Sequence, residues 1–260
     1  LYHNIGDSVI LYTQDGKVLK QDEVLSYPCV GEDYPGLRYF RSVRTTGLND
    51  SMVVALFSAR LLNTGTSYMK MWMPASSDVS YFTALAPGAK TASSPYQSKP
   101  SLVVTMRKEK PAVEEPFVAV YEPISDKLSA GLIESVDRIK LDPRGKEGCA
   151  IKVKTKGGDT FTLVNILKDG PVILNNQKCC ADFAIFAKRK GKNSVYVGNG
   201  FFVENKEFKV ESENRGSFYM EYDQTSLLVR SNCPIKIQAK NGMLKKPLYL
   251  TGGERVFKME

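Results

Sequence analysis

His3 is the single histidine in 260 residues, which removes most Ser-His-Asp relays and most zinc centres from this chain. A lone imidazole near a chain end rests on the surface or, where it reaches a cleft, holds or moves a proton near neutral pH. The five cysteines are Cys29, Cys149, Cys179, Cys180 and Cys233, an odd number with no C-x-x-C pair. No metal site is expected from them, and buried free thiols are the default reading. An extracytoplasmic chain leaves open a pairing of Cys179 or Cys180 with Cys149 or Cys233. No G-x-x-x-x-G-K-[ST] phosphate loop is present, and no cofactor is expected.

The segment Tyr34-Pro35-Gly36-Leu37-Arg38-Tyr39-Phe40-Arg41-Ser42-Val43-Arg44 alternates aromatic and basic residues. Aromatic faces stack on sugar rings, and arginine forks bind carboxylate or sulfate bidentately, so Arg38, Tyr39, Arg41 and Arg44 are candidate substrate contacts. Strand periodicity predicts Arg38 and Arg44 on one face and Arg41 on the other. A half-exposed strand with arginines along its surface is the competing reading. Lys188-Arg189-Lys190-Gly191-Lys192 predicts a basic turn between two strands, either a solvated tip or a site for anionic groups. This cluster and Lys245-Lys246 lack interleaved aromatics, so nucleic acid is not the expected partner.

The net charge of +8 is uneven. Residues 1–143 carry 15 Lys and Arg against 16 Asp and Glu, whereas residues 144–260 carry 21 against 12. Such asymmetry attracts an acidic polymer or serves as a solvated basic surface.

The elements that must position these groups read as strands. Asp15-Gly16 predicts a tight turn after Val9-Ile10-Leu11-Tyr12. Short apolar or alternating runs recur at 101–106, 116–121, 149–155, 159–167, 182–187, 194–197, 218–222, 226–230, 235–239 and 247–250. Residues 51–62 are β-branched and aromatic enough to prefer a strand over a helix. In Tyr68-Met69-Lys70-Met71-Trp72-Met73 the large apolar residues predict core filling. Residues 86–100, rich in Pro, Gly, Ser and Ala, predict a long loop. The fold class expected is all-β: a large antiparallel β-sandwich over 1–143, then a smaller basic antiparallel β domain over 144–260. No apolar run exceeds the six residues Met52 to Phe57, too short for a membrane-spanning helix. The chain opens at Leu1 with no initiator Met, charged n-region or apolar h-region, which predicts an excised or processed piece of something longer.

Several segments together resemble the C-terminal β-sandwich region of the heparinase II/III-like polysaccharide lyases. Pro116-Phe117-Val118-Ala119-Val120-Tyr121-Glu122-Pro123, followed by Ile133-Glu134-Ser135-Val136-Asp137-Arg138-Ile139, is similar to the family's F-V-x-V-x-E-P … I-x-S-V-x-x-L run. Arg41-Ser42-Val43 and Met52-Val53-Val54-Ala55-Leu56-Phe57 look like its R-R-x-L … V-V-D-x-F pair, with Ala55 replacing the usual acidic residue. Phe161-Thr162-Leu163-Val164 and Ala181-Asp182-Phe183-Ala184 are similar to later strands. Tyr2-His3-Asn4 looks like the end of the H-N-T-V motif, although Ile5-Gly6-Asp7-Ser8 departs from its continuation.

The resemblance implies β-elimination on uronic-acid polysaccharides, in a secreted or periplasmic enzyme. His3 would then be a candidate catalytic residue. An N-terminal α/α-barrel outside this chain would supply most catalytic groups, leaving these 260 residues inactive alone. A non-catalytic carbohydrate-binding or structural module is the alternative.

Overall fold

The computed structural model describes residues 7–24, 40–61, 65–86, 100–109, 115–125, 131–142, 147–167, 170–240 and 242–259, with the backbone of 2–4. The chain divides into two compact units, Leu1–Ala112 with Phe117–Leu132, and Val113–Pro116 with Ile133–Glu260. Among the described residues every regular element is a strand, and every strand pairing is antiparallel.

The first unit contains β1 (Tyr2–Asn4), β2 (Ser8–Thr13), β3 (Asp22–Glu23), β4 (Arg41–Leu48), β5 (Val53–Leu61), β6 (Gly65–Met73), β7 (Val79–Ala86), β8 (Ser101–Lys108) and β9 (Val120–Ile124). They form a four-stranded sheet, β2-β5-β6-β9, and a five-stranded sheet, β1-β8-β7-β4-β3. Alternation decides how the sheets meet. Val53, Ala55 and Phe57 of β5 share a face, as do Met71 and Met73 of β6, and all pack against Val79, Tyr81, Val104 and Met106 of the other sheet. The result is a β-sandwich, with the strand expected at 51–62 running over Val53–Leu61 and the methionines in its core. The Asp15-Gly16 turn forms, with Gly16 at φ 83°, but its return arm makes one bridge, Val18 to Tyr12. The strand expected at 116–121 runs instead over Val120–Ile124.

Trp72 falls out of step with the methionines and lands on the opposite face of the four-stranded sheet. There its Nε1–H donates to Glu122 Oε2 at 2.9 Å, and the Leu132 N–H donates to Glu122 Oε1. Gly131 stands at φ +67°, where a Cβ would lie 2.6 Å from both carboxylate oxygens. The buried Glu122 therefore ties a strand, the tryptophan and the backbone at 131–132 together, and no residue with a side chain fits at 131.

The second unit contains β10 (Ile133–Ile139), β11 (Gly148–Thr155), β12 (Thr160–Ile166), β13 (Val172–Leu174), β14 (Gln177–Arg189), β15 (Lys192–Glu204), β16 (Phe208–Tyr222), β17 (Ser226–Ser231), β18 (Ile235–Ala239), β19 (Leu248–Leu250) and β20 (Gly253–Lys258). The strand β10, which a seam at 143 would leave with the first half, pairs with β11 in this unit. All eleven strands belong to one sheet.

That sheet folds over on itself. The register slips between Cys180 and Ala181 in β14, and again around Gly200 in β15 and β16. Bulges of this kind bend strands sharply. One leaf runs β10-β11-β12-β14-β15-β16-β17-β20; the other takes the early half of β14, the late half of β15 and the early half of β16, with β13, β18 and β19 at its sides. Val164, Ala184, Val197 and Phe218 from the first leaf close on Leu174, Val203, Val210 and Ile237 from the second. At the bend, backbones come too close for a side chain: a Cβ on Gly216 would lie 2.1 Å from Cys233 Sγ.

Cys149, Cys179, Cys180 and Cys233 are free thiols, and Cys29 lies outside the described residues. Burial, then the neighbouring Cys180, pushes the Cys179 thiol up to about 12. At pH 8 roughly one Cys179 in ten thousand is then the reactive thiolate. In a Cys29→Ala chain, iodoacetamide at pH 8 is expected to label half-buried Cys149 first and Cys179 after unfolding. Peptide mass spectrometry checks this; Cys179 labelling as fast in the folded as in the unfolded chain would contradict its enclosure.

Candidate glycan-binding groove

Across the first leaf of the second unit, the inward-facing residues form rows fixed by strand register. One row is Val164, Ala184, Val197 and Phe218; the next is Thr162, Phe186, Val195 and Met220. The last, nearest the 188–192 turn, is Thr160, Lys188, Asn193 and Tyr222. The inner face thus turns from apolar to polar toward one end of the sandwich. From the other leaf the turns Asn175-Asn176-Gln177 and Asn205-Lys206-Glu207 reach the same place. Together they bound a groove of about 280 Å³, with Lys152 on its wall beside Thr162.

The floor is a fixed hydrogen-bond set. Asn205 Oδ1 accepts from the Glu207 and Phe208 N–H groups at 2.9 and 2.8 Å, and Asn205 Nδ2 donates to Tyr222 Oη at 3.0 Å. The Tyr222 hydroxyl donates to Glu207 Oε2 at 3.4 Å, and its ring meets Phe208 edge-on with centroids 4.8 Å apart. Burial, then the Glu207 charge, raises the Tyr222 hydroxyl far above its ordinary range, so it stays protonated at neutral pH.

The walls carry charge. Lys152, Lys188 and Lys206 make no ion pair among the described residues. Asn175, Asn176, Gln177 and Asn193 add carboxamides that both donate and accept. Unpaired ammonium groups suit carboxylate or sulfate, and carboxamides suit sugar hydroxyls. Among the described residues no His, Cys, Asp and Glu group is arranged to hold a metal ion, and no helix is long and apolar enough to cross a membrane.

Of the residues singled out in the sequence, Arg38 and Tyr39 lie outside the described residues. His3 sits on β1 opposite Val103, its side chain likewise outside them. Arg41 and Arg44 are exposed on β4 in the first unit, whereas the groove belongs to the second. Their expected alternation does not hold. Arg41 pairs with Leu85 and Arg44 with Thr83, residues two apart and so on one face. The cause is a bulge at Ser42, whose φ of 51° inserts one extra residue between the arginines.

In the basic turn, Lys190 at φ 38° and Gly191 at φ 85° form a tight hairpin. Arg189 lies over the Phe161 ring at 4.9 Å and Lys192 pairs with Glu221 at 3.1 Å, while Lys188 enters the groove. The groove's amides were not signalled by any motif. The Asn175-Asn176-Gln177 triplet, where the short β13 turns into the long β14, is the one local clue, and only the register shows what it faces.

No family model matches the chain. Over 228 residues, 84% of its length, the chain is 36% identical to an endo-acting ulvan lyase of Formosa agariphila. The match spans 27% of that relative, so what the chain is similar to is one part of a polysaccharide lyase.

Proposed function

We propose that these residues form the β-sandwich portion of a polysaccharide lyase that cleaves a uronic-acid-containing anionic polysaccharide by β-elimination, and that the groove of the second unit holds the glycan. The observation that carries this reading is a groove in which Lys152, Lys188 and Lys206, none of them in an ion pair among the described residues, stand among carboxamides. The similarity to the Formosa agariphila enzyme makes ulvan the first polymer to test.

In the elimination a base removes the proton beside the uronate carboxylate. Electron density moves to form the ring double bond, and the glycosidic oxygen leaves with a proton from an acid. A cation near the carboxylate stabilises the charge that builds there. The groove lysines fit that role or the grip on neighbouring anionic units. In this proposal an α/α-barrel outside these residues, as in the heparinase II/III-like lyases, supplies the proton-moving groups, and His3 is the candidate from this chain. Arg38, Tyr39, Arg41 and Arg44 form a second contact for the anionic chain. A polymeric substrate places the enzyme in the periplasm or outside the cell.

The competing reading is a non-catalytic carbohydrate-binding or structural module, which Ala55 in place of an acidic residue and the departure after Asn4 favour. One assay separates the two. The intact protein carrying this chain is mixed with ulvan and with other sulfated and unsulfated uronate polymers, and the ultraviolet absorbance of the unsaturated uronate is followed. A rise, slowed about a hundredfold by His3→Ala, supports the lyase with His3 in its mechanism. A rise that His3→Ala leaves unchanged keeps the lyase and removes His3. Retention on the polymers without any rise leaves the binding module.

A further inference from the structure

The outward face of the same leaf carries a different surface. Tyr196 stands there between Ile185 and Tyr219, and the row continues through Arg230 to Glu254. Gly198, next along on this face, has no side chain to lift the tyrosine. A Cβ at that position would meet the Tyr196 ring at 3.4 Å, so the ring lies across the glycine. Phe183 meets Tyr196 edge-on, with centroids 6.3 Å apart at 60°. Tyr196 is nonetheless 37% exposed, and beside it opens a shallow depression of about 410 Å³ rimmed by Ser217, Tyr219, Arg230, Asn232 and Glu254.

Two arginines of this face are matched by carboxylates. Arg230 Nε donates to Glu254 Oε2 at 2.6 Å, and Arg215 Nη1 donates to Asp182 Oδ1 at 2.9 Å. Asn199 Nδ2 also donates to Asp182. A polyanion gains little from arginines already neutralised, in contrast to the open lysines of the groove. A flat aromatic ring beside paired polar groups suits the C–H face of an uncharged sugar, whose hydroxyls reach the rim.

We infer that this face is a second glycan-binding surface, which takes neutral pyranose units by stacking on Tyr196. It is separate from the groove, and its test does not depend on lyase activity. In native affinity electrophoresis, the 260-residue chain is run through gels containing soluble xylan or hydroxyethylcellulose. Retardation by at least one polymer is expected, unchanged by moderate salt. Tyr196→Ala is expected to weaken it at least tenfold, and Lys188→Ala to leave it intact. No retardation by either polymer, retardation that salt removes, or a Tyr196→Ala chain retarded like the unaltered one would each overturn the inference. If circular dichroism shows Tyr196→Ala unfolded, saturation-transfer NMR of the unaltered chain with xylohexaose decides. Transfer concentrated on the ring C–H protons supports the site, and no transfer overturns it.

Discussion

Glu122→Ala is expected to destabilise the first unit by about 2–4 kcal/mol, since it strands the buried Trp72 indole N–H and removes the acceptor of the part-buried Leu132 N–H. The Trp72 Nε1–H and the Leu132 N–H both end on this carboxylate, which is 6% exposed. Glu122→Gln keeps the shape but replaces one acceptor oxygen with an NH₂ group that faces a donor, and should cost about half as much. Gly131→Ala attacks the same contact from the other side. It forces a Cβ to within 2.6 Å of the carboxylate oxygens and strains a backbone at φ +67°. In a Glu122→Ala background the collision disappears and the strain, about 1–2 kcal/mol, remains, so the two changes should be clearly non-additive. Trp72 is the one tryptophan of the chain, so its fluorescence reports this unit directly during urea unfolding. A Glu122→Ala stability within about 1 kcal/mol of the unaltered chain would show that the carboxylate is incidental.

The second large effect concerns polyanion binding. Replacing Lys152, Lys188 and Lys206 together with Ala should weaken binding of a sulfated uronate polymer about a hundredfold at low salt, at about 1 kcal/mol per cation. The slope of log affinity against log salt should fall by about 2, because three fewer counterions are released. The control removes equal charge elsewhere, at Lys190, Lys245 and Lys246, which are exposed and outside the groove. Salt-dependent calorimetry on both variants checks the claim. Equal losses in the two would mean that net charge alone attracts the polymer and that the groove selects nothing.

The reach of sequence reasoning differed between local pattern and long-range register. The β-branched and aromatic content of Val53–Leu61 was enough to infer a strand, and the Met69, Met71 and Met73 spacing in Gly65–Met73 a methionine core, because burial of one face leaves a period of two in the residues themselves. Trp72, read as core filling with the methionines, is buried as expected, but its place on the second buried face and its partner Glu122, fifty residues away, left no period to read. The bulges at Ser42 and at Cys180/Ala181 carry no reliable residue signature, yet the first puts Arg41 and Arg44 on one face and the second folds a sheet in two. The groove depends on that fold. Its amides come from turns at 175–177 and 205–207 that meet Lys188 and Tyr222 only after the leaves close. The resemblance run drew attention to Glu122-Pro123, and the structure shows the glutamate acting as a buried tether in the first unit.

The folded sheet also governs how the groove meets its ligand. β14, β15 and β16 each run through both leaves, so the two walls resemble the arms of tongs bent from one strip of metal. Such arms have no pivot. Widening the gap would mean unzipping ladders that the three strands share, whereas two leaves joined by a loop could drift apart at little cost. The gauge of the gap is therefore set during folding, and on the proposed reading a glycan that enters would find its seats already spaced. Little conformational freedom is left for the protein to surrender on binding, and a chain too thick for the gap is refused.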